Sequence, residues 1–187
     1  ALGFTACDER GVAAGRIQTD RYIVGAYYYT WYPDNFGQGY LRRRLVPPQV
    51  PALGIYKSAD VATAEQHIAW ASRYGVDFFA VGWWPGREKQ NQVLPRHFLK
   101  ARNIGDVKFC IFYETWWLGF FPERGMTIFD VQKADRFVAD MVSIAEKYFR
   151  HPSYLAVGGR PVVILYLGRT FTGGFEVAIE RARRELR

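Results

Sequence analysis

The chain has 187 residues, 49% of them hydrophobic and 23% charged, which is enough to bury a sizeable core and too apolar for an intrinsically disordered polymer. Its net charge of +7 sits mainly in Arg42, Arg43 and Arg44 and in Arg181, Arg183, Arg184 and Arg187, without the basic-aromatic module that reads nucleic acid, so no nucleic-acid partner is expected. Charges, Gly or Pro break every apolar run short of the roughly 18 to 20 residues of a membrane span, and Cys7 and Cys110 offer neither a disulfide framework nor metal-ligand spacing.

Residues 1–21 read as a polar leader with no apolar signal core, which leaves the compartment open, a secreted or periplasmic setting being favoured over a cytoplasmic one. Residues 22–31 (YIVGAYYYTW) form the first apolar, aromatic and β-branched run. Asp60 then caps a helix whose Val61, Ala64, Ile68 and Ala71 keep helical spacing until Gly75. The second run is 76–84 (VDFFAVGWW), followed by a shorter helix at about 92–102, and the third is 107–114 (VKFCIFYE). Asp130 caps a longer helix with Ala134, Phe137, Val138, Met141, Ile144, Ala145 and Tyr148 on one stripe, ending before His151-Pro152. The fourth run, 161–167 (PVVILYL), precedes a terminal helix from about Phe175. Runs apolar on both faces indicate buried parallel strands, so the predicted pattern is four successive βα units.

Such units build either an open doubly wound sheet or a closed (β/α)8 barrel. The phosphate-binding turns GxGxxG and GxxxxGK[ST] are absent, which disfavours the first. The chemically suggestive residues gather instead at the C-terminal ends of the strands, where barrel enzymes place their sites. They are Tyr29, Trp31 and Tyr32, then Trp83 and Trp84, then Glu114, Trp116 and Trp117, and finally Tyr166 and Arg169. The expected fold is therefore an α/β (β/α)8 TIM barrel, of which residues 1–187 supply the N-terminal half, about four βα units. The other half is expected from further sequence or another chain, because a lone four-stranded parallel sheet would expose apolar edges.

Glu114 is the one carboxylate at the C-terminal end of an interior strand, beside Tyr113 and Trp116. Aromatics that exclude water can raise such a carboxyl's pKa and fit it for proton transfer or for hydrogen bonding a sugar hydroxyl. Asp34 and Glu88 lie in the loops after the first two strands, and Asp77 starts a strand and so belongs to the opposite end. A glycosidase needs two carboxylates across the scissile bond, so Glu114 alone is no catalytic pair. The tandem tryptophans speak for ligand class: sugar rings pack their C–H faces on indole and phenol rings, and in each pair one ring is expected at the mouth and the other in the core. His67, His97 and His151 read as structural, and no nucleophilic triad can be assembled.

Several segments resemble the N-terminal half of glycoside hydrolase family 99 and its bacterial polysaccharide-cluster relatives. These are GAYYYTWYPD, PALGIYKSAD, YGVDFFAVGWWPG, KFCIFYE and YFRHPSYLAVGGRPVVILY, covering about 23–167. The resemblance implies a (β/α)8 barrel that hydrolyses internal α-mannosidic bonds with retention and needs neither metal nor organic cofactor. It implies that Glu114 lines the substrate groove, that one indole of Trp83 and Trp84 sits beside a mannose in a minus subsite, and that Tyr29 or Tyr32 lines the same groove. Trp31, Trp116 and Tyr166 complete the candidate substrate-binding set, with a glycan or polysaccharide as partner. Two departures matter. Thr115-Trp116 replaces the family's Pro-Tyr after the glutamate, and the Asn-Glu-Trp-x-x-Glu segment carrying the family's catalytic glutamates is absent. No catalytic residue is therefore expected within these residues, and alone they should be inactive. A non-catalytic carbohydrate-binding or polysaccharide-assembly component is the competing class.

Overall fold

A computed structural model describes residues 22–33, 46–47, 50–115 and 127–187. Four parallel strands form the central sheet in the order β1 (Gly25–Tyr28), β2 (Phe78–Trp83), β3 (Lys108–Tyr113) and β7 (Val163–Leu165). Register is set by Tyr28 opposite Val81, Trp83 opposite Tyr113, and Tyr113 opposite Leu165. Between β1 and β2 runs α1 (Val61–Arg73), which buries Ala64, Ile68 and Ala71. The Asp60 carboxylate caps it by accepting the Ala62 N–H at 3.0 Å, and the chain leaves the helix through Gly75 at φ +80°.

Where one helix is expected after β2, two short ones stand, α2 (Glu88–Asn91) and α3 (Val93–Arg96), followed by a 3-10 turn at Phe98–Lys100. Pro95 has no N–H to give the Asn91 carbonyl, and that missing bond keeps α2 and α3 from joining. After β4 (Thr127–Phe129) comes α4 (Val131–Ile144), capped by Asp130 through the Lys133 N–H at 2.8 Å and prolonged as a π-helical turn over Ala145–Phe149. A hairpin of β5 (Ala156–Val157) and β6 (Arg160–Pro161) turns on Gly158 and Gly159, both at positive φ. This hairpin takes Pro161 out of the expected fourth strand, and Leu167 at φ 52° ends the run in a left-handed turn, so β7 is only its middle. Finally β8 (Phe171–Gly173) pairs in parallel with β4, and α5 (Phe175–Glu185) packs on α4 through the small buried faces of Ala178 and Ala182.

Side chains alternate across the sheet. Tyr28, Phe79 and Phe109 all meet the Phe98 ring, and Tyr113 meets Phe137 of α4, so these positions form the helix-facing layer of the core. Tyr27 and Tyr29 meet Phe112 on the opposite face. No helix among the described residues is long and apolar enough to cross a membrane.

Candidate functional site

The opposite face of the sheet carries the candidate site at its C-terminal end. Glu114 follows β3 with its backbone N–H held by the Trp83 carbonyl at 2.9 Å, and its side chain is only 7% exposed. Tyr29, one residue beyond β1, brings its hydroxyl close enough to the Glu114 carboxyl, from across the intervening strand, for each to shift the other's titration. That reach depends on β2 presenting a glycine between them. A Cβ on Gly82 would stand 2.6 Å from the Trp84 ring and 3.3 Å from the Tyr29 ring, so the bare backbone makes the room.

Burial pushes the Glu114 carboxyl up from 4.5 to about 7, and the Tyr29 hydroxyl, bonding to the charged form, partly opposes this. The Tyr29 phenol is pushed up to about 12 by burial first and by the Glu114 charge second. Near neutral pH the carboxyl is therefore divided between its protonated and ionised forms. It can donate a proton or a hydrogen bond in one form and accept in the other.

Aromatic rings surround this pair. Trp31 stacks on Tyr29 with centroids 4.6 Å apart and planes 2° from parallel, and Trp84 lies 5.1 Å from Trp31 and 6.2 Å from Tyr29. Tyr166 meets Phe112 edge-on at 5.7 Å, and its carbonyl accepts the Thr115 hydroxyl at 2.6 Å, tying the β3 and β7 ends together. Among the expected site residues the fold thus brings together Tyr29, Trp31, Trp84, Glu114 and Tyr166. Trp83 instead points to the helix layer, buried at 4% exposure and stacked 5.6 Å from Tyr113, and Trp84, though on the site side, is itself only 2% exposed, so neither ring of this pair stands open at the mouth among the described residues. Tyr32 turns away from Glu114 and stacks on Tyr56 at 4.0 Å. Trp116, Trp117 and Asp34 lie outside the described residues, as do Cys7, Arg42, Arg43 and Arg44.

Two residues that sequence reasoning passed over matter here. Buried Asn91 accepts the Trp84 N–H at 2.9 Å and donates to the Trp84 carbonyl at 2.7 Å, clamping the turn that aims the indole. Gly82 was legible as a glycine interrupting a strand, a sign of close approach. Asn91 sits in a polar stretch that nothing distinguishes from a solvated turn. Asp77, placed at the other end of the strands, accepts the Val24 N–H there at 2.7 Å. His67 accepts or donates at 3.1 Å to the Tyr28 hydroxyl within the helix-side layer, and burial lowers its pKa.

No family model and no curated protein matches the chain. Solved structures do. One described as a glycoside hydrolase-like protein has a TM-score of 0.68 at 21% identity, over 89% of this chain and 48% of that one. The GH99 endo-α-mannosidase from Bacteroides thetaiotaomicron in complex with Bis-Tris-propane has a TM-score of 0.57 at 21% identity, over 80% of this chain and 43% of that one. Another structure of a GH99 endo-α-mannosidase from that organism gives 0.58 at 19%, over 80% and 46%. The chain therefore spans less than half the length of these proteins, and its fold is part of an α/β barrel with the candidate site at the strand C-termini.

Proposed function

We propose that the chain is the N-terminal half of a single barrel domain in a carbohydrate-active enzyme of the endo-α-mannosidase type, and that it supplies one wall of the glycan groove. Residues 1–21 are its leader segment. The observation that carries this reading is the Tyr29–Glu114 pair. A water-poor carboxyl near neutrality and a phenol close beside it present polar atoms to sugar hydroxyls, while Trp31, backed by the buried Trp84, offers a flat apolar face to the ring. Resemblance in sequence and likeness of fold to GH99 structures support the substrate class, an α-mannoside-containing glycan.

In this reading Glu114, Tyr29 and Tyr166 orient the sugar, Trp31 stacks on it, and the buried Trp84 and Trp83 support these groups, Trp84 directly beneath Trp31 and Trp83 from the helix layer. Trp116 and Tyr32 extend the groove. The acid and base of glycoside cleavage are expected outside these residues, because the Asn-Glu-Trp-x-x-Glu segment that the resemblance calls for is absent from the sequence and, among the described residues, the inward strand ends hold a single carboxylate, Glu114, where cleavage requires two. That same single carboxylate favours the second reading, a barrel that binds glycan without cleaving it. In the complete protein Glu114→Gln weakens α-mannoside binding or turnover at least about tenfold, as expected for a lost hydrogen bond to a charged group. Isothermal titration and product release on α-mannan oligosaccharides measure it, and unchanged values reject Glu114 as a groove residue. Tight binding without product would favour the non-catalytic reading.

A further inference from the structure

Next to Trp31, which stacks on Tyr29, lies a concavity of about 280 Å³. It is walled by the loop that enters α1 and by the start of α2, and it opens against Trp31 and Tyr32. Its volume has room for about one sugar ring. Two lysines line it, Lys57 from the loop and Lys89 from α2, and no acidic side chain among the described residues does. Neither lysine forms an ion pair among the described residues, whereas Lys133, Arg102, Arg136, Arg181 and Arg183 all do. The floor is already satisfied, since the Thr30 hydroxyl donates to the Gln90 carbonyl at 3.4 Å. The cavity therefore combines an aromatic face with two exposed lysines from different segments, neither of them ion-paired among the described residues.

We infer that this cavity is a subsite for a sugar bearing an anionic group, a uronic acid or a sulfated sugar, so that the glycan taken by the groove is acidic. The inference rests on the carbohydrate reading above. Trp31 lines this cavity and also stacks on Tyr29, the neighbour of Glu114, so one glycan can run from the Tyr29–Glu114 pair past Trp31 to the two lysines. Lysine ammonium groups bind carboxylate or sulfate by charge-assisted hydrogen bonds, and such contacts at an exposed rim fade with salt.

The test follows the Trp31 indole N–H resonance of the full chain during titration with D-glucuronate, D-mannuronate and glucose 6-sulfate. Their neutral parents glucose and mannose, together with sodium acetate and sodium sulfate, are titrated alongside. The acidic sugars are expected to bind about tenfold more tightly than the neutral ones at low ionic strength. In the double variant Lys57→Gln/Lys89→Gln that preference disappears while neutral-sugar binding and the melting temperature hold. Carboxylate against sulfate ester shows which anion is preferred, and either supports the subsite. Equal binding of acidic and neutral sugars, or a preference that survives the double variant, overturns the acidic subsite and leaves the carbohydrate reading standing. Acetate or sulfate binding as tightly as the acidic sugars also overturns it, by reducing the site to simple anion binding. If no sugar perturbs Trp31, both readings fall together.

Discussion

Glu114 links the site to the stability of the fold. Its carboxyl titrates near 7 in the folded chain against an ordinary 4.5, so between these values the folded protein holds a proton that the unfolded chain has released. The stability associated with that proton is complete below about pH 4.5 and lost as the pH rises through 7. Glu114→Gln keeps the shape of the side chain but has no proton to lose. Its melting temperature relative to wild type should therefore climb between pH 4.5 and 7 and level off above, in thermal denaturation series across that range. A difference independent of pH would show that Glu114 is not desolvated. Tyr29→Phe removes the donor that favours the charged form, so the Glu114 titration, followed by carbon NMR, moves further up, by about one pH unit or less. Gly82→Ala tests the space between them. The added methyl meets the Trp84 ring at 2.6 Å, and overpacking of this kind costs about 1–3 kcal/mol. Chemical denaturation measures the loss, and it should be accompanied by weaker glycan binding because Tyr29 and Trp84 are the groups displaced.

The elements that hold the site are pinned by polar devices at their ends. On the helix-facing side the Tyr113 hydroxyl donates to Asp140 of α4 at 2.8 Å, and Arg136 reaches both oxygens of the same carboxylate at 2.9 and 3.0 Å. Burial raises the Asp140 carboxyl, against the lowering effect of these partners, and raises the Tyr113 phenol. This lock fixes α4 against the strand residue just before Glu114. Asp140→Ala leaves a buried phenol unsatisfied beside an unpaired guanidinium. With Arg136 itself 45% exposed, it should cost about 2–3 kcal/mol in denaturant titration, mainly for the buried phenol, above the roughly 1 kcal/mol expected for loss of the α4 cap in Asp130→Ala. Equal small losses would mean that α4 is held by its apolar stripe alone. That stripe was legible from spacing, as were both caps. The break between α2 and α3 had a visible cause in Pro95, yet spacing read through it as one helix, because a single missing N–H does not disturb the pattern of apolar side chains.

At the scale of the molecule the sheet is unevenly covered. Strands β2 and β3 are buried along nearly their whole length, whereas β1 and β7, the ends of the sheet among the described residues, are not, with Tyr27 62% exposed. Yet the sequence of β1 is as apolar and aromatic as that of its neighbours, as suits a strand with a partner on each side. Amide hydrogen exchange on these 187 residues should find β2 and β3 protected most and β1 and β7 opening more readily. Uniform protection across the four strands would speak against an incompletely covered sheet.

Hydrophobic patterning determined that four parallel strands alternate with helices and that the aromatic and acidic residues of interest collect at the strand C-termini; that placement, with the absent phosphate-binding turns, pointed to part of a barrel, which the likeness to solved structures bears out. Those are properties of periodicity and order, which sequence carries directly. Which of Trp83 and Trp84 lies on the Glu114 side of the sheet, that Tyr29 comes close to Glu114 over Gly82 of β2, and that Asn91 clamps the Trp84 turn while two lysines from separate segments line one cavity were decided only by the tertiary structure. The reason is that such contacts join residues far apart in the chain through strand register, and register is set by the packing of the whole sheet rather than by any one strand.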